Sequence, residues 1–236
     1  MAEWFWQRNY NKRTEKDYGL IRSIYYKLFV YFVVWPVSKL FYCLKVEGRE
    51  NVPKGRNKEG RANLIIAGNH VSYIDPPMIT YAVQRRVVYM GKKELFTSPN
   101  WLLRAMCISL GGFAVNREKP ELATFKTVKA IFNTPWLLGI FPQGGIRHEP
   151  VLENIHKGFT LFAKKFEADI LPVAVCGFDG YAKRLFQKHM TIKIGKPISY
   201  KLSDEEIVRE WARQICEMTG FENKVEETLK ETVNVS

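Results

Sequence analysis

The chain has 236 residues, 46% of them hydrophobic, with a formal net charge of +12. That is enough apolar material for one sizeable core, and no stretch reads as a linker long enough to separate two domains. Basic residues cluster at 8–27, 45–61, 85–93 and 183–196; such an excess attracts polyanions, and since no nucleic-acid motif accompanies it, the expected partner is an anionic lipid surface and not nucleic acid. Cys43, Cys107, Cys176 and Cys216 form no Cys-x-x-Cys pair, which disfavours a metal knuckle or a redox couple and fits buried thiols in a reducing compartment.

From the N-terminus, Trp4, Phe5, Trp6 and Tyr10 lead into an apolar stretch, Ile24 to Leu44, carrying Tyr25, Tyr26, Tyr31, Trp35 and Tyr42. Tryptophan and tyrosine favour the headgroup level of a membrane. The stretch lacks the clean apolar core and small-residue cleavage site of a secretory signal, so the cytoplasmic face of a membrane is expected. Lys27, Pro36 and Lys39 interrupt it, and its longest charge-free piece, Leu28 to Ser38, is shorter than the roughly 20 residues a spanning helix needs. A bent pair of helices lying in one leaflet, with the lysines reaching the headgroups, is the expectation. A core helix and a single tilted span are the alternatives. On this reading residues 1–48 form a membrane-associating segment and 49–236 the folded domain.

After a charged loop at 54–61, Ala62 to Gly68 reads as a buried strand that places His70 just past its end. Pro76 and Pro77 suit the first turn of a helix over 78–84, and Asp75 stands where a helix N-cap would. Val87 to Met90 is a second strand, 120–133 an amphipathic helix, and Trp136 to Phe141 a third strand ending in the loop Pro-Gln-Gly-Gly-Ile-Arg. A helix over 153–167 and strands at 170–175 and 191–194 follow, and Ser203 with Glu206 makes a capping box opening a last helix that stops at Gly220. This alternation predicts an α/β fold, a single largely parallel sheet with flanking helices, plus the N-terminal membrane-interfacial helices. Ligands gather outside the carboxyl ends of parallel strands, where both His70 and the 142–147 loop fall.

Four segments carry the chemistry: Asn-His-Val-Ser-Tyr-Ile-Asp at 69–75, Gly-Gly-Phe-Ala-Val-Asn-Arg at 111–117, Phe-Pro-Gln-Gly-Gly-Ile-Arg at 141–147, and Leu-Pro-Val-Ala-Val at 171–175. In order and separation they resemble the four blocks of the glycerolipid acyltransferases related to 1-acylglycerol-3-phosphate acyltransferase (PlsC type). That resemblance implies transfer of a fatty acyl group from acyl-coenzyme A or acyl carrier protein to a monoacyl glycerol phosphate at a membrane, with the thioester as cosubstrate and no further cofactor or metal. It also implies that Arg117 holds the acceptor's phosphate.

The same chemistry can be built from residue types. An alcohol is a poor nucleophile until deprotonated, and the imidazole of histidine, which ordinarily titrates near neutrality, is the residue type suited to take the proton. A carboxylate on the other ring nitrogen fixes the tautomer, so His70 and Asp75 are the candidate catalytic pair. Residues five apart diverge on a regular helix, so the chain between them must turn. Ser72 lacks a nucleophile elbow and reads as a turn residue. His148, His156 and His189 lack metal-ligand spacing, although His148 flanks the third block. Gly144 and Gly145 form a permissive turn whose N–H groups could meet a phosphate or an oxyanion. The third block departs from the family form Phe-Pro-Glu-Gly-Thr-Arg-Ser: Gln143 replaces a carboxylate held to touch the acceptor, and Arg147 stands one place later. Either Arg147 reaches the phosphate by a changed turn, or the acceptor is another lysolipid or a lipid glycoside. A noncatalytic lipid-binding protein of the same fold is the reading from outside enzymology.

Overall fold

The computed structural model describes residues 12–54, 63–115, 122–177 and 190–225. After a 3-10 turn at Glu15–Tyr18 the first helix, α1, spans Leu20–Leu40, with a π-helical segment at Val30–Val34. It is followed by β1 (Lys45–Glu47), β2 (Leu64–Gly68), α2 (Asp75–Val83), β3 (Val87–Lys92), α3 (Lys93–Thr97), α4 (Trp101–Ser109), β4 (Phe113–Val115), α5 (Leu122–Phe132) and β5 (Leu137–Ile140). The remainder is β6 (Val151–Leu152), α6 (Gly158–Lys165), β7 (Asp169–Cys176), β8 (Thr191–Ile194), α7 (Asp204–Thr219) and β9 (Glu222–Asn223).

Seven strands form one sheet in the order β1-β8-β7-β2-β5-β3-β4, parallel at every junction except β7–β8. A parallel sheet needs cover on both faces, which is why β2 reads as the unbroken apolar run Leu-Ile-Ile-Ala-Gly and is buried throughout. Alternate residues serve the two faces. Ile65, Ala67 and Leu138 pack with Trp136, Phe159 and Trp211 on one side, while Leu64, Ile66 and Leu137 pack with Met78, Ile79 and Ala82 of α2 on the other. The last helix is set by its ends: Ser203 and Glu206 exchange side-chain-to-backbone bonds, and Gly220 closes it at φ +79°. Its Trp211 Nε1 donates to Ala67 O at 2.9 Å, fixing the helix on the strand that carries His70.

The N-terminal helix is one continuous element, not the bent pair the sequence suggested. Pro36 sits two residues after the π segment, and the widened turn is where the hydrogen-bond ladder absorbs the ring. By length and composition α1 is apolar enough to cross a membrane. Its inward stripe is Ser23, Tyr26, Val34 and Ser38. Tyr26 packs edge-on against Trp136 and accepts from Val87 N at 2.9 Å, which ties α1 to the start of β3. Its outward face remains apolar, with Ile21 and Phe32 at 86% and 75% exposure. Trp4, Phe5, Trp6 and Tyr10 lie outside the described residues.

Further differences concern one boundary and several short elements. The expected helix over 153–167 begins only at Gly158, because Asn154 takes φ +52° and His156 N donates to Pro142 O at 2.9 Å, turning 153–157 back onto the 141–147 loop. Strands β1, β4, β6 and β9, each two or three residues long, and helices α3 and α4 carry no periodicity that the sequence reading resolved.

Candidate active site

Strand β2 ends at Gly68, and Asn69 continues its ladder by side chain: Oδ1 accepts from Val175 N at 2.7 Å and Nδ2 donates to Val175 O at 3.1 Å. Asn69 was missed as a site residue, although an asparagine at a strand end, able to mimic a backbone peptide, is the signal that could have found it. It pins the chain so that the next residue, His70, turns over the carboxyl edge of the sheet.

Between His70 and Asp75 the chain does turn. One carboxylate oxygen of Asp75, Oδ2, gathers three donors: Val71 N and Ser72 N at 2.7 Å each, and His70 Nδ1 at 2.9 Å. Asp75 is the first residue of α2 and Ile74 the cap position, so the aspartate organises the preceding loop and does not cap its own helix. Its side chain is fully buried and the His70 ring is 15% exposed. Burial pushes the Asp75 carboxyl above its ordinary value, against the opposing pull of His70, Ser72 and Val71. An ionised carboxylate only accepts, so the His70 proton sits on Nδ1 and leaves the Nε2 lone pair available. Ser72 Oγ accepts from Ile74 N at 3.2 Å, the turn role its sequence context implied.

The 141–147 loop clasps His70 on its remaining sides. Phe141 stacks on the imidazole with centroids 4.0 Å apart, Gln143 Oε1 accepts from His70 N at 3.0 Å, and Arg147 N donates to His70 O at 2.8 Å. Gly144 adopts φ +70° and its N–H closes the turn onto Phe141 O, so that donor is already committed. Of the glycine pair, Gly145 is the one that faces open space.

His70, Gln143, Gly144, Gly145 and Arg147 border one cleft of about 860 Å³. Lys92 and Lys157 also line it, and no aspartate or glutamate does among the described residues. His148, singled out for its place beside the third block, is exposed and off the cleft; His156 takes that place instead, its ring lying against Gly144 where an added Cβ would come within 2.5 Å. The same cleft is lined by the apolar side chains of Leu95, Phe96, Leu103, Met106, Leu110 and Phe162. Cys107 borders it as well, and burial pushes its thiol up to about 11, which keeps it from serving as a thiolate at neutral pH. Leu171 and Val173 of the fourth block are core residues on β7. Arg117 and His189 lie outside the described residues; β4, two residues before Arg117, ends at Val115 on the cleft wall.

The arrangement brings a carboxylate-bonded histidine, basic side chains and apolar side chains to one cleft at the carboxyl edge of a parallel sheet. A 1-acyl-sn-glycerol-3-phosphate acyltransferase of Borreliella burgdorferi is 32% identical over 132 residues, 55% of this chain and 50% of that protein, so the chain spans about half the length of this curated relative. In fold, the crystal structure of the 1-acyl-sn-glycerophosphate (LPA) acyltransferase PlsC from Thermotoga maritima superposes with a TM-score of 0.62 at 23% identity, covering 84% of this chain and 80% of that one. Residues 43–176, more than half of the chain and the whole of the span from β1 to the end of β7, match the Acyltransferase family, and the chain belongs to it.

Proposed function

We propose that the protein is a membrane-surface O-acyltransferase that moves a fatty acyl group from acyl-coenzyme A or acyl carrier protein to 1-acylglycerol-3-phosphate, giving phosphatidic acid. The observation that carries the reading is the His70–Asp75 bond beside a cleft lined by basic and apolar side chains, with no acidic one among the described residues. His70 Nε2 takes the proton of the acceptor hydroxyl as its oxygen attacks the thioester carbonyl. Asp75 steadies the imidazolium that forms. The carbon–sulfur bond then breaks, and the thiolate leaves with the proton returned by His70, so no covalent intermediate is needed. Arg147, Lys92 and Lys157 supply positive charge for the acceptor's phosphate, with Arg117 a fourth candidate; the Gly145 turn is placed to serve the oxyanion. The apolar part of the cleft lining takes the acyl chain.

Membrane association is supported by the outward apolar face of α1 and by Trp101 and Leu102 at the start of α4, 65% and 62% exposed. With a net charge of +12, the chain is suited to an anionic cytoplasmic leaflet. The test is acyl transfer by the full chain in mixed micelles, with lysophosphatidic acid and other lysolipids as acceptors and both thioesters as donors. Phosphatidic acid formed by the wild type and lost in His70→Ala is the expected result. Transfer only to other lysolipids would move the acceptor assignment, and lipid binding without any transfer would replace the enzyme reading by a binding one.

A further inference from the structure

Three rings form a row that ends on His70. Tyr89 of β3 stacks on Phe141 with centroids 5.3 Å apart and planes 15° from parallel, and Phe141 stacks on the imidazole at 4.0 Å and 16°. The row is built into the sheet. Tyr89 stands opposite Gly139 in the parallel register of β3 and β5, and a Cβ at 139 would collide with the Tyr89 ring. The missing side chain of that glycine is what admits the first ring.

Stacking accounts for the ring of Tyr89 and leaves its hydroxyl unexplained, because phenylalanine would fill the same place without burying an unbonded O–H at a cost of about 1–3 kcal/mol. Tyr89 OH, Thr80 Oγ1 and Asp75 Oδ1 are all buried and make no hydrogen bond among the described residues. Asp75 Oδ1 is the carboxylate oxygen that the 70–75 turn does not use, and when ionised it can only accept, whereas the two hydroxyls can donate. Tyr89 packs in the same apolar layer as Met78 and Ile79 of α2, the helix that carries Asp75 and Thr80. Burial holds the Tyr89 phenol well above its ordinary range, Tyr26 and the Asp75 charge add to that, and Thr80 opposes it. The hydroxyl therefore keeps its proton and remains a donor.

We infer that Tyr89 is a positioning residue for both members of the His70–Asp75 pair: its ring holds the imidazole through Phe141, and its hydroxyl steadies the Asp75 carboxylate from the Oδ1 side. A hydrogen bond at Nδ1 alone leaves the imidazole free to tilt about that bond, and contact on the ring face removes this freedom, so the stack decides where Nε2 is aimed. On Asp75 all three donors converge on Oδ2, and a donor on the Oδ1 side offsets the cost of burying the charge that the imidazolium needs beside it. Tyr89 OH is buried, so the hydroxyl touches no substrate and acts through its neighbours. The effect on turnover rests on the acyltransfer reading; the hold on His70 does not.

Tyr89→Phe keeps the ring and removes the hydroxyl, Tyr89→Leu removes the stack, and Gly139→Ala displaces the Tyr89 ring from the opposite strand. The ring contact is read by NMR of the full chain with isotope-labelled histidine, the His70 signal being identified by its loss in His70→Ala. A ring proton over the face of Phe141 resonates upfield, so the His70 signals should lie upfield of those of the other histidines in the wild type and in Y89F, and move toward them in Y89L and G139A. In steady-state assays Y89L and G139A should lose kcat by about 10- to 100-fold, with KM for both substrates changed less than about twofold. Y89F should lose about three- to tenfold in kcat, and the same substitution made in Asp75→Asn should change kcat less than about twofold. His70 signals at the ordinary position in the wild type would overturn the ring role whether or not Y89L and G139A fold, and so would signals that stay put in a folded Y89L. An equal loss from Y89F in both backgrounds would overturn the hydroxyl role. A wild type that transfers to no acceptor would sink the acyltransfer reading; the NMR signals would still judge the ring, and the Y89F and D75N cycle run on urea midpoints would judge the hydroxyl.

Discussion

Replacing Asp75 by alanine or by asparagine separates what its oxygen does from what its charge does. In Asp75→Ala the N–H groups of Val71 and Ser72, each 2.7 Å from Oδ2 and both in buried residues, lose their acceptor. At about 1–3 kcal/mol for each stranded buried donor the variant should lose about 2–6 kcal/mol of stability. Asparagine can place its one oxygen where Oδ2 stands and keep both bonds, with its nitrogen at the position of Oδ1, which makes no hydrogen bond in the structure. Asp75→Asn should therefore remain folded. Its stability should also depend differently on pH. Burial raises the native carboxyl above its ordinary 3.8, so the native state holds this proton more tightly than the unfolded chain does. Such a group contributes stability below the unfolded value and loses it as pH rises through the folded value. The stability of D75N relative to wild type should thus improve as pH climbs from 3.8 upward. Activity should move the opposite way, with kcat lower by about 10²–10⁴-fold, because the imidazolium loses its counter-charge. Urea denaturation followed by tryptophan fluorescence across pH, beside initial acyl-transfer rates, measures both. A D75N protein as unstable as D75A would refute the hydrogen-bond argument, and one that kept wild-type kcat would refute the pairing.

Gly144→Ala forces a Cβ onto a φ of +70° and to 2.5 Å from the His156 ring; it should cost about 1–3 kcal/mol by thermal denaturation and lower kcat/KM at least tenfold by displacing the turn that carries Gln143 and Arg147. Trp211→Phe removes the indole hydrogen bond to the carbonyl of Ala67 and part of a fully buried ring and should destabilise by about 1–3 kcal/mol while leaving the activity per folded molecule near that of the wild type. Alkylation of Cys107, read by peptide mass spectrometry, should be slow at neutral pH, accelerate as pH rises toward about 11, and be suppressed by a bound long-chain thioester. Serine at Ile21, Leu28 and Phe32 together should weaken association with anionic vesicles by about tenfold or more per side chain, since each removes the burial of one large apolar group from the α1 face. Unchanged vesicle binding would place the membrane contact elsewhere.

The parts of this molecule that were legible in the sequence are those in which one residue type performs one local task. Leu64–Gly68 must be apolar throughout because both faces of β2 are covered, and Ser203 with Glu206 must open a helix because each satisfies the other's backbone. His70 and Asp75 were legible as a pair because their spacing, with prolines immediately after, leaves few ways for the chain to run. What was not legible depends on contacts between distant segments. Strand β4 is three residues long and exists because β3 offers it an edge, and residues 153–157 fail to be helical because His156 is recruited by Pro142. His148 and His156 illustrate the limit: proximity to the third block in sequence favoured the first, yet the 141–147 loop and the return of the chain before α6 bring the second to the cleft. Gln143 has the same lesson at the level of atoms. Its departure from the family pattern was visible as a lost charge, but which end of the amide meets His70 follows only from the position of the His70 N–H. A backbone donor therefore decides the polarity that a side chain presents to the cleft.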